Sequence, residues 1–348
     1  MKKLKLLDIA IALGVSKTTI SKVLNNYPDV NQFTREKVLD YVKKVGFEPN
    51  RQASSLRKKE VKTVALILPR LENDFFNRIQ EGILKVSQEH DYSLSVATSY
   101  DRFETEKKLV FQFLNRNVDA IFLAISHETV NFEHLIQIQQ QGKILVLFDK
   151  IEKTLNCPKV IIDNRKASFI ATEHLIKNGC KHILHFRSGY KPQISIDRYL
   201  GYRDALNEYN IPFDKKKVIV CEITDEKNGF LAAKNALELG IKIDGLLSGS
   251  DYAAIGAIQY FKNKKLNIPK DISVVGFGNS RFSKFSTPSL TTVDQSANLM
   301  GKEVFKIFLE EKLLVSRGEA PANKTLTLSV NLIVRESSIK SSRQDDFN

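Results

Sequence analysis

Short apolar runs that alternate with amphipathic helical segments constrain this sequence more than any other feature. From residue 62 onward, runs such as VALILP and ILVLFD are separated by stretches whose apolar residues recur at helical spacing. Continuous apolar strands between amphipathic helices indicate a parallel sheet covered on both faces. The pattern begins again at VIID and ends at ISVVGFG. We predict an α/β body with two similar sheets and a ligand cleft at the carboxyl ends of their strands.

The residues before this body have a helical period and predict a helix-turn-helix. In LLDIAIALGVSKTTISKVLNN, two amphipathic segments are separated at Gly14, which permits the backbone conformation of a tight turn. Ser16 suits the N-cap of a second helix that begins at Lys17, and Asn31 or Thr34 suits the cap of a third. The predicted apolar faces are Ile9, Ala10 and Leu13, then Ile20, Val23 and Leu24, then Val38, Leu39, Val42 and Val45.

Positive charge is concentrated at this end of the chain. Residues 1–62 carry 14 Lys and Arg against 6 Asp and Glu, whereas the remaining 286 residues carry 39 against 34, within a total net charge of +13. A small basic module beside a nearly neutral body is typical of a protein that binds a polyanion. A basic but merely solvated surface is the alternative.

The second helix of such a unit enters the major groove of DNA with its first residues toward the base edges. We therefore predict that Lys17, Thr18 and Lys22 read bases. Thr19 and Ser21 are predicted to contact phosphate, because their short hydroxyls suit backbone oxygens. One short helix gains useful specificity only when a dimer reads a two-fold, palindromic operator. An unrelated helical bundle with solvated lysines is the alternative.

The segment that follows, EPNRQASSLRKKE, has too little apolar area to fold alone. Leu56 is its isolated apolar residue, and a segment of this kind becomes helical only when something covers that side chain. A leucine wedge in the minor groove is one such cover. A flexible linker with Leu56 resting on the body is the other possibility.

The order DIAxxxGVSxxTxSxVLN, followed by TREKVLDYVKKVGFEPNRQASSLR, resembles the N-terminal signature of the lactose repressor (LacI/GalR) family. The resemblance continues through IIDNRKAS, SGSDYAAIGAI and PSLTTVDQ to about Arg335. It implies a hinge helix that orders on the operator, pairs with its dimer mate and inserts Leu56 into the central base step. The hinge residues expected at the DNA are Asn50, Arg51, Ala53 and Leu56.

The resemblance also implies a body with the fold of periplasmic sugar receptors, in which two lobes close on a ligand. The expected divisions are a helix-turn-helix domain at 1–48, a hinge helix at 49–60, an effector-binding domain at 61–340 and a disordered tail at 341–348. Within the body, we expect an N-lobe at about 61–158 and 291–321 and a C-lobe at about 159–290 and 322–340.

Carried over by position, the effector pocket should contain aromatic side chains to stack on a ring, and carboxylates and an arginine to fix polar groups. Its expected residues are Asn73, Phe75, Phe76, Asp149, Arg198, Asp251 and Gln295. Asp251 could instead cap the next helix, and Arg198 could instead form a structural ion pair. Gly278 and Asn279 stand where the family usually has an acidic residue, so the resemblance does not transfer a particular sugar.

Other chemistry finds little support in the residues. Cys157, Cys180 and Cys221 lack the spacing of a disulfide framework or zinc site, and we predict free buried thiols. We find no phosphate-binding loop, nucleophile elbow or acid–base pair, and we predict no metal, cofactor or catalysis. No run suits a signal peptide or membrane span, so a cytoplasmic location is expected. The polar C-terminal tail lacks a leucine heptad, which favours a homodimer over a tetramer.

The sequence therefore predicts an allosteric transcriptional regulator, a repressor, that binds a palindromic operator and is controlled by a sugar-like small molecule between two lobes. A solute-binding receptor would explain the body equally well, but it leaves the basic N-terminal unit without a role. A sugar-processing enzyme would need a catalytic constellation that the cleft residues do not supply.

Overall fold

The computed structural model describes residues 6–24, 27, 30–45, 47, 62–71, 74–189, 193–221 and 223–340. The chain divides into two compact units, Met1–Val61 and Lys62–Asn348. Among their described residues, the first unit contains helices, and the second contains two sheets with covering helices. The predicted hinge helix at 49–60 and the tail at 341–348 lie outside the described residues.

The first unit, the head, is the predicted helix-turn-helix. It consists of α1 (Leu6–Leu13), α2 (Lys17–Leu24) and α3 (Gln32–Lys44). Gly14 has φ +66° between α1 and α2, the left-handed conformation that the turn requires. Asn31, and not Thr34, is the N-cap of α3, and its side chain accepts a hydrogen bond from the Phe33 backbone N–H at 2.9 Å.

The core of the head is small and mostly as predicted. Its buried members are Ile9, Ala10, Ile20, Val23 and Val38. The prediction that Leu39 belongs to the buried apolar face of α3 is wrong, because this residue is 46% exposed. Successive helical residues are about 100° apart around the axis, so Leu39 points away from the face that Val38 shares with Tyr41 and Val42.

The second unit, the body, alternates strands and helices along most of its length. In chain order its elements are β1 (Thr63–Leu68), α4 (Asp74–Glu89), β2 (Ser93–Thr98), α5 (Phe103–Asn115), β3 (Ala120–Leu123), α6 (Glu133–Gln140), β4 (Ile144–Phe148), β5 (Lys159–Ile162), α7 (Asn164–Lys177), β6 (Ile183–Ser188), α8 (Gln193–Glu208), β7 (Val218–Cys221), α9 (Glu226–Glu238), β8 (Gly245–Ser248), α10 (Asp251–Asn263), β9 (Ser273–Phe277), α11 (Arg281–Phe285), β10 (Thr291–Asp294), α12 (Ala297–Ser316), β11 (Thr325–Leu328) and β12 (Asn331–Ile333). Short 3₁₀ turns at Lys215–Lys217 and Glu336–Ser338 complete the set.

These strands form two six-stranded sheets, each the centre of one lobe. The N-lobe sheet has the order β2-β1-β3-β4-β5-β11, and all its pairs are parallel. The C-lobe sheet has the order β7-β6-β8-β9-β10-β12, in which only β12 is antiparallel to its neighbour. The central strands are buried on both faces, which explains why their sequences are continuously apolar.

The predicted lobe boundaries are wrong at three places. β5 lies in the N-lobe sheet, although the C-lobe was expected to begin at residue 159. β10 lies in the C-lobe sheet, and β11 returns to the N-lobe. The chain therefore crosses between lobes three times, after β5, after β10 and after β11. A strand that is buried on both faces has the same apolar pattern in either sheet, so its sequence does not reveal which sheet it joins.

Glycine allows the covering helices to approach each other at backbone distance. In the N-lobe, a Cβ placed on Gly301 of α12 would lie 2.0 Å from the Ile79 carbonyl oxygen of α4. A Cβ on Gly82 would lie 2.2 Å from the Asn298 carbonyl oxygen. Gly256 of α10 shows the same close approach in the C-lobe, at 1.9 Å from the Glu226 carbonyl oxygen. Each lobe thus contains a helix pair that only glycine at the crossing permits.

We expect Gly301→Ala to lower the free energy of unfolding by about 3 kcal/mol, because the added methyl group must separate two packed helices. Urea unfolding followed by circular dichroism measures the change. Lys306→Ala on the exposed side of α12 is the matched control, with an expected change of less than about 0.5 kcal/mol. Equal unfolding midpoints for Gly301→Ala and the control would contradict this packing argument.

Candidate functional site

The first turn of α2 presents two of the three side chains that were predicted to read bases. Lys17 and Thr18 are exposed, whereas Thr19 is half-buried. Ser16 caps the helix, because its Oγ accepts a hydrogen bond from the Thr19 backbone N–H at 3.0 Å. The Thr19 hydroxyl is 2.8 Å from the same Ser16 Oγ. Thr19 therefore participates in the cap, a structural role that the prediction of a phosphate contact did not include.

The rest of the predicted DNA surface is only partly described. Ser21 and Lys22 are half-buried on the second turn of α2, which contains no acidic residue. A helix with positive charge and free of carboxylates is suited to a phosphate-lined groove. The hinge residues Asn50, Arg51, Ala53 and Leu56 lie outside the described residues.

We expect Lys17→Ala to change which base is preferred at one position of each half-site, at a cost of about 1–3 kcal/mol in discrimination. Lys43→Ala, at the exposed C-terminal end of α3, is the matched lysine control and should leave base preference unchanged. Binding to a set of duplexes with single-base changes measures both variants. A uniform loss across all duplexes would make Lys17 a phosphate contact instead.

A cleft of about 500 Å³ lies between the two lobes of the body. Six of the seven predicted effector residues line it: Phe75, Phe76, Asp149, Arg198, Asp251 and Gln295. The seventh, Asn73, lies outside the described residues. Phe75 and Phe76 lie in the first turn of α4, on the N-lobe side of the cleft. Their rings are 5.3 Å apart in an edge-to-face arrangement. The cleft thus has an apolar aromatic wall on one side and polar groups from both lobes.

Arg198 on α8 is the most firmly positioned polar side chain of the cleft. It donates hydrogen bonds to the side chains of Asn164 and Gln295 and to the Gly249 carbonyl, at 2.9, 3.1 and 3.0 Å. Its guanidinium carbon lies 3.6 Å from the centre of the Phe277 ring. Burial lowers the pKa of Arg198 to about 10, opposed by Asp149, so the side chain keeps its charge at neutral pH. Arg198 forms no ion pair with the described residues, so they do not support the alternative prediction of a structural ion pair.

Asp149 faces the cleft from the end of β4. Burial raises the pKa of its carboxyl group, while Lys150 and Arg198 oppose that rise. The backbone at Asp149 has φ +55°, which turns the chain directly after the strand. A carboxyl group in this position is available to a ligand hydroxyl.

Asp251 lines the cleft but is already engaged by the protein. Its carboxylate accepts hydrogen bonds from the Ser280 backbone N–H at 2.6 Å and from the Thr292 hydroxyl at 2.5 Å. The predicted alternative, a helix cap, is wrong, because Ser250 caps α10 through the Ala253 backbone N–H. Asp251 therefore holds the loop after β9 against β10, and each of its carboxylate oxygens already accepts one hydrogen bond from the protein.

Gly278 and Asn279 follow β9 where an acidic residue was expected from the resemblance. Asn279 is turned to the protein: its backbone carbonyl accepts a hydrogen bond from Arg78 and its side-chain oxygen accepts one from Arg335, both at 2.8 Å. Gly278 has φ +128°, a conformation that other residues rarely adopt. This wall of the cleft therefore supplies no carboxylate beyond the engaged Asp251.

Several charged side chains of the cleft were missed from the sequence. Asp101 accepts a hydrogen bond from Lys150 at 2.9 Å and forms an ion pair with Arg70 at 3.3 Å. Burial raises the pKa of Asp101, but Lys150 and His127 outweigh it and the pKa falls to about 2. These residues follow β1, β2 and β4, so the rule that loops at the carboxyl ends of parallel strands form the site could have found them.

His185 was also missed as a cleft residue. It is 1% exposed on β6, its Nδ1 lies 3.2 Å from the Leu247 carbonyl oxygen, and its ring stacks on Tyr202. Only the Nδ1–H tautomer satisfies that carbonyl, so Nε2 is an acceptor. Nε2 is buried without a partner among the described residues. Burial lowers the pKa of His185 to about 4, which keeps the ring neutral.

We expect His185 to make the folded protein less stable as the pH falls. Its pKa is about 4 when folded against 6.5 for the unfolded chain, so the unfolded chain binds the proton first. The unfolding free energy should therefore fall by about 2.4 kcal/mol between about pH 7 and about pH 4.5, and His185→Gln should lack this contribution. Urea unfolding of both proteins at the two pH values tests this; equal losses would show that the imidazole is not the buried neutral group described.

Metal sites and membrane spans were searched within the described residues. There, no group of three or more His, Cys, Asp and Glu side chains is arranged to hold a metal ion. None of the described helices combines the length and apolar character that a bilayer crossing requires. Cys157, Cys180 and Cys221 are free and buried, as predicted.

Comparison with known proteins agrees with this arrangement. Residues 5–50 match the model of bacterial regulatory proteins of the lacI family, and residues 172–338 match that of a periplasmic binding protein-like domain. The chain is 34% identical to the HTH-type transcriptional regulator RegA of Clostridium saccharobutylicum, over 95% of this chain and 98% of the relative. It is 32% identical to catabolite control protein A of Priestia megaterium, over 83% and 86% of the two chains.

A solved structure of the Lac repressor dimer bound to operator and the anti-inducer ONPF has the same fold, with a TM-score of 0.85 at 23% identity over 97% of this chain and 100% of that one. A helix-turn-helix followed by a two-lobed binding body defines a transcriptional regulator. The chain belongs to the lacI family of bacterial regulatory proteins.

Proposed function

We propose that this regulator is a homodimeric repressor that binds a palindromic operator and responds to a sugar-like small molecule in the cleft. The DNA contacts are assigned to α2 and to the hinge at 49–60. The effector contacts are assigned to Phe75, Phe76, Asp149, Arg198 and Gln295, with Asn73 carried over from the resemblance. Asp251 is assigned a positioning role. The protein acts in the cytoplasm, where a bacterial operator is accessible.

The single observation that carries the proposal is the distribution of cleft groups over both lobes. Asp149 belongs to the N-lobe, whereas Arg198 belongs to the C-lobe, and no direct ion pair joins them among the described residues. A ligand that contacts both lobes stabilises one relative position of the lobes over others. In the family to which this chain belongs, that position is expected to set the spacing of the two hinges in the dimer.

The contacts between the two lobes can be either formed or broken, so they also respond to a change in the relative position of the lobes. Arg281, at the start of α11, pairs with Asp74 at 3.3 Å and Glu81 at 3.2 Å on α4. Arg78 donates a hydrogen bond across the cleft mouth to the Asn279 carbonyl at 2.8 Å. α4 begins at the cleft aromatics, so a ligand that moves Phe75 or Phe76 also acts on these contacts. They are partly exposed, and a modest difference in ligand affinity suffices to break them.

We infer no catalytic activity for the cleft. The curated relatives described above are transcription regulators. The charge of Asp101 acts on Asp149, but Asp101 is engaged by Lys150 and Asp251 by Ser280 and Thr292, so neither is placed to divide acid and base roles with Asp149. The remaining alternative is a receptor that binds solute without controlling DNA.

A metabolite screen coupled to operator binding tests the proposal. A ligand that binds only the folded protein raises its melting temperature, which identifies candidates. Each candidate is then added to the protein with its operator, and the dissociation constant should change by about tenfold or more. Because coupling is reciprocal, operator DNA must change effector affinity by the same factor. A ligand that binds in the cleft and leaves operator affinity unchanged would favour the solute receptor.

A further inference from the structure

The C-lobe wall of the cleft contains two arginines, Arg187 and Arg198, whose hydrogen-bond partners are uncharged, and Asp149 acts on Arg198 only through its longer-range charge. Arg198 donates to two amide side chains and a backbone carbonyl, all of them uncharged. Arg187, on β6, donates to the Ser195 hydroxyl at 3.2 Å and lies 5.1 Å from the Tyr199 ring centre. Neither forms an ion pair within the part of the chain that the structure describes. A half-buried guanidinium group ordinarily pairs with an anion.

The carboxylates of the cleft do not provide that anion, because three of the five are engaged elsewhere and the other two pair with neither arginine in the described residues. Asp101 is paired with Lys150 and Arg70 on the N-lobe side. Asp225 caps α9 through the Asn228 backbone N–H, and Asp251 holds Ser280 and Thr292. Asp149 and Glu226 also line the cleft, and burial raises the pKa of Asp149. No carboxylate of the cleft forms an ion pair with Arg187 or Arg198 in the described residues, so both guanidinium groups are left to a ligand.

Two further features of the same wall indicate what else the ligand contains. Ile194 and Ser195 of α8 line the cleft, and the first turn of that helix contains no acidic residue to offset the positive end of the helix dipole. His185 Nε2 is a buried acceptor with no donor among the described residues. A ligand hydroxyl would supply the missing donor. The wall thus requires an anionic group and a hydroxyl group from one molecule.

We propose that the effector is an anionic sugar derivative, whose phosphate or carboxylate is bound by Arg187 together with Arg198 and whose hydroxyl donates to His185 Nε2. The inference rests on the proposed function and specifies its ligand class. Arg187 is the residue that selects the charged derivative over the neutral sugar. Gly278 fits this class, because it adds no carboxylate beside Asp251 that would repel the anion.

Arg203 provides a matched control for Arg187. Both guanidinium groups stack on Tyr199, with Arg203 at 5.7 Å from the ring centre, but Arg203 is exposed and does not line the cleft. Substitution by methionine retains the apolar stem of either side chain and removes its charge. A difference between Arg187→Met and Arg203→Met therefore reports on the charge inside the cleft and not on the aromatic contact.

The first experiment uses inorganic phosphate as the probe, with the full-length protein at constant ionic strength. Phosphate in place of chloride should raise the melting temperature of the wild type and of Arg203→Met, and should raise that of Arg187→Met distinctly less. Phosphate bound elsewhere on this basic protein contributes equally to all three. An equal rise in the three proteins, or none, would overturn the inference.

The second experiment identifies the anionic group. Hexoses, their 6-phosphates and the corresponding hexuronates are compared by calorimetry on the same three proteins. At least one charged derivative should bind about tenfold to a hundredfold more tightly than its neutral parent, and Arg187→Met should lose that advantage while Arg203→Met keeps it. Tighter phosphates identify a phosphate ligand, and tighter uronates a carboxylate.

Failure of the inference can be distinguished from failure of the proposed function. If neutral hexoses bind as tightly as the charged derivatives and change operator affinity, the effector class is wrong but the regulator stands. If neither neutral nor charged sugars bind the cleft while operator binding is intact, both the sugar-like effector and its charge are rejected.

Discussion

Arg198→Ala is expected to abolish the response to effector while operator binding is retained. The guanidinium group joins the beginning of α7, the end of β8 and the crossover after β10 through three hydrogen bonds. Loss of the charge-assisted bonds that it would make to a ligand should weaken effector binding by about a hundredfold. The head lies in the other compact unit, so its helices are not altered by the substitution.

Operator titrations with and without the effector measure this result. Arg198→Lys keeps the charge but loses the planar fork, so it should retain a small part of the response. Arg203→Ala, on the exposed side of α8, should respond as the wild type does. A normal response in Arg198→Ala would show that the pocket has been assigned to the wrong residues.

Leu56→Ala is expected to weaken operator binding by about tenfold to a hundredfold. The expectation comes from the sequence, since Leu56 lies outside the described residues. A leucine inserted at a base step buries its side chain, which contributes about 1.5–3 kcal/mol, and removing it leaves the bent duplex without its wedge. Effector affinity of the full-length variant without DNA is the readout that should not change, because Leu56 precedes the body, Lys62–Asn348.

Leu39→Ala is the matched leucine control for this experiment. Leu39 is 46% exposed on α3 and lies outside the head core, so its truncation should change operator affinity by less than about twofold. Fluorescence anisotropy with a labelled operator gives both values. Equal affinity for Leu56→Ala and wild type would remove the hinge wedge from this account and favour a flexible linker.

The sequence predicted the helices and strands of this fold well, because apolar period distinguishes them. The turn at Gly14 and the helix after Ser16 were recognised from backbone freedom and capping, which are local properties. α12 was not predicted, although its buried Met300, Val304 and Phe308 have helical spacing. That spacing of apolar residues predicts the helix.

The sequence did not predict which of the two sheets each strand joins. The strand β5 reads as a buried parallel strand in either sheet, and only its pairing with β4 and β11 places it. The β5–β11 pairing joins residues more than 150 positions apart, which no local pattern reports.

The cleft shows the same division between local and long-range information. Asp149 and Arg198 were predicted because each occupies a position that the family resemblance marks. Asp101 and Lys150 were missed because their significance comes from a mutual contact across 49 positions. Asp251 was assigned to the ligand, but the sequence could not show that Ser280 and Thr292 would engage its carboxylate. Buried polar networks depend on tertiary contacts that one chain segment does not contain.

The most direct test of the account is a selection of duplexes from a random pool in the presence of excess random competitor DNA at modest salt. A protein with a net charge of +13 will bind any duplex to some extent, so preference and not affinity is the informative quantity. We expect enrichment of one two-fold symmetric sequence by the wild type. We expect Lys17→Ala to lose base preference within that sequence. Absence of any enriched sequence, with and without candidate metabolites, would contradict this account.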